Sequence, residues 1–364
     1  MKKILALSIL VVLVIASCKK DEDSTPPTTT PATYDDTPYE LYIGSFPAPE
    51  IPTDNELTEQ KVQLGRMLFY EPRLSALDNQ SCASCHAQAT AFSDTALFSV
   101  GTFGDLGDRQ AMSAFNLAWN TDGFFWDGRS PTLRHQSLQP IENPVEMAET
   151  HANVIAKLSQ DQTYLDQFIR AFGDDEITAD RMGLAMEQFM MTIVSNDSKY
   201  DRVQAGSESF TESEQRGHDL FFAEYNPFFP DISGADCAHC HSGVNFENDQ
   251  YMNNGLDSDA DFTDLGRYNV TEDDMDKAKF KVTTLRNIEL TPPYMHDGRF
   301  QTLEEVLDHY NEGVQLSSTV DPTIANTEET GLLLTDDDKA DLINFMKTLT
   351  DETLINNPEY SDPF

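Results

Sequence analysis

The sequence Cys-Ala-x-Cys-His occurs twice, as CASCH over residues 82–86 and as CAHCH over residues 237–241. The two copies lie 155 positions apart, so the chain carries the same device in each of its halves. Residues at positions i, i+3 and i+4 of a helical turn share one face, so each copy can present two sulfurs and one imidazole together. The fold must therefore provide this arrangement at two separate places.

In an exported protein, Cys-x-x-Cys-His is the attachment sequence for c-type haem, in which the sulfurs hold the haem and the histidine binds iron. The predicted residues are Cys82, Cys85 and His86 for one haem and Cys237, Cys240 and His241 for the other. One alternative is a thioredoxin-like redox pair, which has no use for the adjacent histidine. Another is zinc, whose cysteine pairs are typically much closer in sequence.

A longer repeat precedes each copy. LGRMLFYEPRLSALDNQSCASCH and RGHDLFFAEYNPFFPDISGADCAHCH both contain a glycine followed by Leu and Phe at the third and fourth positions. Such internal similarity indicates two related units. We place the boundary in the polar stretch around AGSES, which gives an N-terminal haem c domain over 53–205 and a C-terminal haem c domain over 206–355.

Apolar residues recur at helical spacing in much of the chain. One such stripe covers 151–173, and further helices are predicted after Thr178 and Thr335. Thr211 and Thr302 are each followed three residues later by glutamate, the pattern of a capping box. Because alternating strand patterns are scarce, we predict an all-α fold of two cytochrome c-like helical domains.

The N-terminus, MKKILALSILVVLVIASC, has two lysines and then an apolar run, as an export signal does. Ile15 occupies a place where ordinary signal peptidase prefers a small residue, and the IASC ending resembles a lipobox with Cys18 as the acylated residue. We therefore expect a signal over 1–18, a disordered Pro/Thr/Asp-rich tether over 19–52, and an envelope lipoprotein facing the periplasm or the surface. The alternative is a soluble exported protein that keeps a free cysteine.

The chain is strongly acidic: 24 Lys and Arg stand against 63 Asp and Glu, a formal net charge of −39. A phosphate backbone would be repelled, so nucleic acid is excluded as a partner. A basic redox partner would be attracted, although the same charge also serves solubility. The attachment sequences and the lipobox use all five cysteines, which leaves none for a structural disulfide.

From about Thr53 to Thr350 the chain resembles the bacterial dihaem cytochrome c peroxidases and their relative MauG. The resemblance is carried in order by LGRMLFYEPRLS, CASCH, FFWDGRSPTL, PIENPVEM, CAHCH, TLRNIELTPPYMHDGRF and TLEEVLDHY. It implies two covalently bound haem c groups, with the peroxide site at the N-terminal haem.

The resemblance also assigns the distal acid/base to the glutamate of PVEM, here Glu146, with Glu142 as the fallback and Gln136 on the same side. Cleavage of an O–O bond requires a group that takes a proton from one oxygen and delivers it to the other, and burial raises a carboxyl pKa toward the working range. The alternative is a surface glutamate on a loop.

Two further sites follow from the same resemblance. Trp126 corresponds to the tryptophan between the two haems, where it is either an electron relay or a packing residue. A calcium ion between the domains would use carbonyls of Thr291 and Pro293, while Gln110 stands near the place of the family's asparagine.

Two departures from the peroxidase pattern concern the iron ligands. Thr102 lies where many members have a histidine that blocks the first iron, so that iron is expected to be open. Tyr310 lies where peroxidases place a methionine on the second iron, as in MauG. Tyr310 could instead be a packing residue, with Met295 and Met275 as rival ligands.

Three functions remain open at this point. The first is a peroxidase that reduces hydrogen peroxide to water with electrons from a small cytochrome c or cupredoxin. The second is a MauG-like oxidase acting on a partner protein, and the third is a dihaem electron carrier without catalysis, which requires both irons to be six-coordinate. A homodimer is kept as an expectation for the assembly.

Overall fold

The computed structural model describes residues 31–229, 232–328 and 330–364, and this part of the chain is mostly helical. The helices of the first half are α1 (Glu59–Tyr70), α2 (Leu133–Glu142), α3 (His151–Leu158), α4 (Gln162–Phe172), α5 (Ala179–Thr192) and α6 (Lys199–Gln204). Those of the second half are α7 (Glu212–Phe222), α8 (Tyr268–Thr271), α9 (Leu303–Asp308), α10 (Pro322–Ala325), α11 (Asp336–Lys347) and α12 (Glu352–Asn356). The short strands β1 (Tyr251–Met252) and β2 (Phe280–Lys281) pair antiparallel. The predicted helical fold is confirmed at this level.

Threonine caps fix the starts of the helices, as the sequence predicts. The Thr178 side chain accepts a hydrogen bond from the N–H of Arg181 at the start of α5, and Thr335 caps α11 in the same way. Thr211 and Thr302 form complete capping boxes at α7 and α9. These local bonds satisfy backbone donors that a helix leaves without partners, so they are readable from sequence.

The prediction of one helix over 151–173 is wrong, because the segment forms two helices. α3 ends at Leu158, and Asp161 caps α4 by accepting a hydrogen bond from the N–H of Thr163. An aspartate side chain competes with the helix for backbone donors, which favours a cap over a helix interior. Gly173, the last residue of the segment, ends α4 with a φ of +95°, which glycine adopts without strain.

A close helix pair forms the centre of each half. α1 packs on α5 at Gly65, where an added Cβ would lie 2.0 Å from the carbonyl oxygen of Ala185. α7 packs on α11 at Gly217, where an added Cβ would lie 2.0 Å from the carbonyl oxygen of Asp341. Only glycine permits such contact between a helix and a backbone. Buried apolar side chains surround both pairs as two separate clusters.

The prediction of a disordered tether through residue 52 is wrong for its second half. Backbone bonds join Asp35 to Arg170 and Tyr39 to Leu57, each at 3.0 Å. Phe46 is buried with its ring centroid 5.2 Å from that of Trp119. These aromatic side chains gain enough from burial to hold a segment that composition alone marks as polar. Cys18 and the predicted signal over 1–18 lie outside the described residues.

The C-terminal segment returns to the first half of the chain. Leu354 of α12 and Tyr360 are buried in the first apolar cluster, and the Gln88 amide donates to the carbonyl of Leu354 at 2.9 Å. Residues 352–355, which the sequence analysis placed in the C-terminal domain, therefore pack against the N-terminal half. The boundary at 205/206 itself stays a prediction.

Among residues 31–229, 232–328 and 330–364, none of the helices has the length and apolar character needed to cross a membrane.

Candidate haem sites and the region between them

The two Cys-x-x-Cys-His segments adopt the same turn. In the first, the carbonyl of Cys82 accepts hydrogen bonds from the N–H groups of Cys85 and His86, at 3.2 and 2.9 Å. The second repeats both bonds, at 3.3 and 2.9 Å, with Cys237 as the acceptor. Each turn therefore brings its histidine back beside its cysteines, as the attachment chemistry requires.

The two histidine rings are oriented in the same way. His86 Nδ1 lies 2.9 Å from the carbonyl oxygen of Phe92, and His241 Nδ1 lies 3.2 Å from that of Phe246. Because a carbonyl only accepts, each Nδ1 carries the proton and each Nε2 has a free lone pair. Burial lowers the pKa of both rings, that of His241 to about 4, so both are neutral and able to bind iron.

The cysteine environments argue against a thiol redox pair. Burial raises the pKa of Cys82, Cys237 and Cys240 to about 12, whereas a reactive thiol has a lowered pKa. All four cysteines of the described ranges are free of disulfides. Within the same ranges, no three His, Cys, Asp or Glu side chains are placed to hold a metal ion, so a zinc site receives no support.

Glu146 lies on the loop after α2, close to the first turn. It is half-buried, and burial raises its pKa, while the side-chain amide of Asn143 donates to Oε1 at 2.6 Å. The Glu146 charge contributes to the raised pKa of both Cys82 and Cys85, and hydrogen bonds through the loop of Thr102 join the backbone of Glu146 to this turn. The structure thus brings together an oriented carboxyl and the first attachment segment.

Thr102 lies on a second loop, which is hydrogen-bonded to the loop of Glu146. Its N–H donates to the carbonyl of Glu146 at 2.7 Å, and its hydroxyl donates to Asn79 Oδ1 at 2.6 Å. Gln80 joins this loop to the attachment turn through a 2.8 Å bond to the carbonyl of Val100. The side chain at the position of the family's blocking histidine is therefore tied down by local bonds.

The other predicted distal residues are less enclosed. Gln136 lies half-buried on α2, and none of the described residues hydrogen-bonds to its side chain. The Glu142 carboxylate is 56% exposed and lies 3.3 Å from His151 Nδ1. The arrangement therefore favours Glu146 over Glu142 as the carboxyl next to the first turn.

Trp126 lies at the contact between the two halves. Its indole N–H donates to the carbonyl of Gln110 at 2.8 Å, and its own carbonyl accepts from the N–H of Lys281 at 2.8 Å. Trp126 and Gln110 line a cavity that also contains the second attachment turn. Thr291 and Pro293 line the same cavity, so the structure collects the three predicted calcium-binding residues in one place.

Tyr310 reaches this cavity from an unusual turn. It lies in a π-helical turn, His309–Gly313, that continues α9, and such turns are frequent at functional sites. Burial raises the Tyr310 pKa to about 12. The amide nitrogen of Asn254 lies 3.3 Å from the Tyr310 oxygen and 3.2 Å from the Met295 sulfur, which places both candidate ligands at one point.

Met275, the third candidate ligand, is 60% exposed and is not among the residues that line this cavity. Asn254 and Lys281 do line it, and nothing in the sequence singled them out. Lys281 had no signal, because KAKFKV over 277–282 alternates lysine with apolar residues, as in a strand with a solvent-exposed face. Asn254 had none, since its importance depends on a contact 56 residues away.

The sequence is similar to known proteins over most of its length. The sequence model of a family described as di-haem cytochrome c peroxidase matches residues 59–209. A cytochrome c551 peroxidase of Nitrosomonas europaea is 34% identical over 294 residues, which cover 79% of each chain. The methylamine utilization protein MauG of Methylophilus methylotrophus is 33% identical over 308 residues, which cover 84% of this chain and 86% of that protein.

The fold also matches a solved structure, that of a MauG-like protein associated with microbial copper homeostasis. The TM-score is 0.81 at 35% sequence identity, and the match covers 89% of this chain and 99% of the other. The two relatives and the solved structure match over lengths that include both attachment turns, whereas the family model ends at residue 209, before the second turn.

Proposed function

The chain belongs to the dihaem cytochrome c peroxidase and MauG family, and from this premise we propose that it reduces hydrogen peroxide to water at the haem of the first attachment turn. The observation that carries the proposal is the half-buried Glu146 carboxyl, whose pKa is raised by burial and whose loop is joined to the first attachment turn by the hydrogen bonds of Thr102 and Gln80. Family membership implies two haem c groups, for which the two turns supply matching sulfurs and histidines.

The reaction consumes two electrons and two protons for each peroxide and yields two waters. When bound, the first haem supplies the iron that binds peroxide and the site of its reduction. Glu146 would take the proton from one peroxide oxygen and return it to the other, which leaves as water. The Asn143 amide holds Oε1, so that Oε2 is the oxygen available for this transfer.

Two features support an open first iron. Thr102 has no imidazole and its hydroxyl is bonded to Asn79. His135, the histidine of α2, forms hydrogen bonds with Ser130 and Gln139. An open coordination position distinguishes a catalyst from an electron carrier, which closes both sides of its iron.

Electrons would enter through the second haem and pass by Trp126, which contacts residues of both halves. The donor would be a small cytochrome c or cupredoxin, and the net charge of −39 favours one with a basic surface. We propose that Cys18 anchors the protein to a membrane by acylation. Fractionation of cells carrying Cys18→Ser tests the anchor, which is excluded if the variant stays membrane-bound.

A second candidate function is supported by Tyr310. A tyrosine on the second iron lowers its reduction potential relative to methionine, which favours a MauG-like oxidase that withdraws electrons from a partner protein. Its support is the burial of Tyr310 in the cavity that contains His241. Such an oxidase would use the same open iron and Glu146, but with a protein as the reductant.

Calcium is proposed for the cavity lined by Gln110, Thr291 and Pro293. The Gln110 amide nitrogen donates to Ser93 and to the carbonyl of Asp94, which orients the amide and leaves its oxygen for a cation. Dialysis against a chelator followed by metal analysis tests this proposal: one equivalent of retained calcium supports it, and none in the untreated protein contradicts it.

The experiment that tests the peroxidase function is a single-turnover titration. The fully reduced protein holds two electrons on its haems, so one equivalent of peroxide should oxidise both haems without any donor. Multiple turnovers should then require a reduced small redox protein, whose oxidation should match the peroxide consumed at two electrons each. Peroxide that leaves both haems reduced would support the electron-carrier alternative instead.

A further inference from the structure

Lys281 is a buried lysine without a hydrogen-bond partner. Only 5% of the residue is exposed, and its Nζ bonds to none of the described residues. The nearest carboxylate, that of Asp249, lies 4.0 Å away and already accepts from the N–H and hydroxyl of Thr121. Glu247 also faces this lysine, but no ion pair within 4.0 Å joins the two side chains.

Within the described residues, the Lys281 ammonium has the long ion pair with Asp249 and the face of the Tyr251 ring 5.5 Å away, but no hydrogen bond replaces those it loses from water, which is costly. The loss for a buried charged group exceeds the roughly 1–3 kcal/mol of a neutral unsatisfied group. Burial accordingly lowers the Lys281 pKa. A lysine retained at such a place indicates that a further group, one that accepts hydrogen bonds and carries negative charge, is present in the working protein.

The position of Lys281 indicates which group this is. Lys281 is one of the residues that line the same cavity as Cys237, Cys240 and His241. A haem attached there would bring two propionate carboxylates, which are the negative acceptors that a buried ammonium needs. The residues present thus fit the cofactor in two ways: Cys237 and Cys240 suit its thioether bonds, and Lys281 suits its carboxylates.

We propose that the Lys281 ammonium binds a propionate of the haem carried by Cys237 and Cys240. The inference rests on the attachment of two haems and not on the peroxide chemistry. Lys281 also contacts Trp126, because its backbone N–H in β2 donates to the Trp126 carbonyl at 2.8 Å. One residue would then fix the second haem with respect to the tryptophan between the two haems.

The test uses the holoprotein with both haems, in spectroelectrochemical titrations without peroxide. Lys281→Met removes a positive charge near the second haem. The loss of this charge stabilises the ferric state of that haem relative to the ferrous state. We expect the equilibrium constant for its one-electron reduction to fall by about tenfold, a shift of 59 mV. The first haem's potential should stay unchanged, and Lys281→Arg should keep both potentials near those of the wild type.

Lys199→Met is the matched control, since it also removes one positive charge from a partly buried lysine, one that pairs with Glu214 away from this cavity. If Lys281→Met leaves the second potential unchanged, or shifts only the first, the proposal is wrong. If that variant does not assemble, redox difference infrared spectra of Lys281→Arg decide the question. A shifted propionate carboxylate band supports the contact, and a band identical to that of the wild type contradicts it.

Discussion

The two halves of the molecule share a framework and differ in what surrounds it. In each half a helix crosses another at a glycine, and a Cys-x-x-Cys-His turn follows with its histidine Nδ1 bonded to a phenylalanine carbonyl. Gly65 and Gly217 occupy equivalent places. At each, an added Cβ would lie 2.0 Å from a carbonyl oxygen of the partner helix. The framework therefore serves to present a haem, and it does not by itself select the chemistry.

The difference lies in the side chains that face each attachment turn. The first turn has Glu146, a carboxyl able to exchange a proton, and Thr102, which cannot block an iron. The second turn has a buried phenol, Tyr310, and a thioether, Met295, both held at the amide of Asn254. These side chains are the basis of the proposal that the first half reacts with peroxide and that the second holds a closed iron and transfers electrons.

The largest expected effect comes from removing the carboxyl that distinguishes the first half. Glu146→Gln keeps the shape and the Asn143 contact but prevents proton exchange, so kcat/KM for peroxide should fall by about 10²–10⁴-fold. Steady-state peroxide consumption with a reduced donor measures this. Glu142→Gln, at the exposed C-terminal end of α2, should keep wild-type activity, and equal losses in both variants would remove the special role of Glu146.

The shared framework is tested by placing a methyl group at each helix crossing. Gly65→Ala and Gly217→Ala should each lower the free energy of unfolding by about 1–3 kcal/mol, because the new Cβ forces the paired helices apart. Urea unfolding measures the loss. Gly107→Ala is the control, since its nearest contact would be 3.8 Å away. A large loss for only one of the two crossings would show that the halves are not equivalent.

The pH dependence of turnover should carry the signature of Glu146. This carboxyl must be ionised to take the first proton, so kcat/KM should fall up to tenfold per unit as the pH drops below its pKa. Burial raises that pKa, hence the acid limb should lie above the ordinary value of 4.5. The limb should be absent from the residual activity of Glu146→Gln, and its persistence there would assign it to another group.

A smaller effect is expected at the second haem. Tyr310→Met should raise its potential and increase the equilibrium constant for its reduction by about tenfold, since methionine favours the ferrous state more than tyrosine does. Spectroelectrochemistry measures the change. The matched variant Met295→Leu should leave the potential unaltered; if it is Met295→Leu that shifts the potential, then Met295 is the ligand and the assignment of Tyr310 fails.

Local signals in the sequence were sufficient for several parts of this structure. The threonine caps at 178, 211, 302 and 335 depend on bonds within three residues, and each forms as predicted. The attachment turns likewise depend on neighbouring residues. The glycine, Leu and Phe of each repeat indicated two related units, although not that the glycines would touch distant carbonyls.

Other parts depend on contacts between distant residues, which composition and periodicity do not encode. The Gln88 amide meets α12 across 266 positions, and Phe46 reaches Trp119 from a segment that reads as a polar linker. The burial of Lys281 also depends on distant residues. That its Nζ forms no hydrogen bond with the described residues is visible only in the folded structure. Glu146, by contrast, was named from its motif, and the structure adds its burial and its bond to Asn143.

The central claim is that the two haems differ in reactivity although their frameworks match. Low-temperature electron paramagnetic resonance of the fully ferric protein, before and after one equivalent of peroxide, tests it most directly. We predict one high-spin signal, from the open first iron, and one low-spin signal from the second, and the high-spin signal should disappear on peroxide addition. Two low-spin signals that do not respond to peroxide would contradict the account.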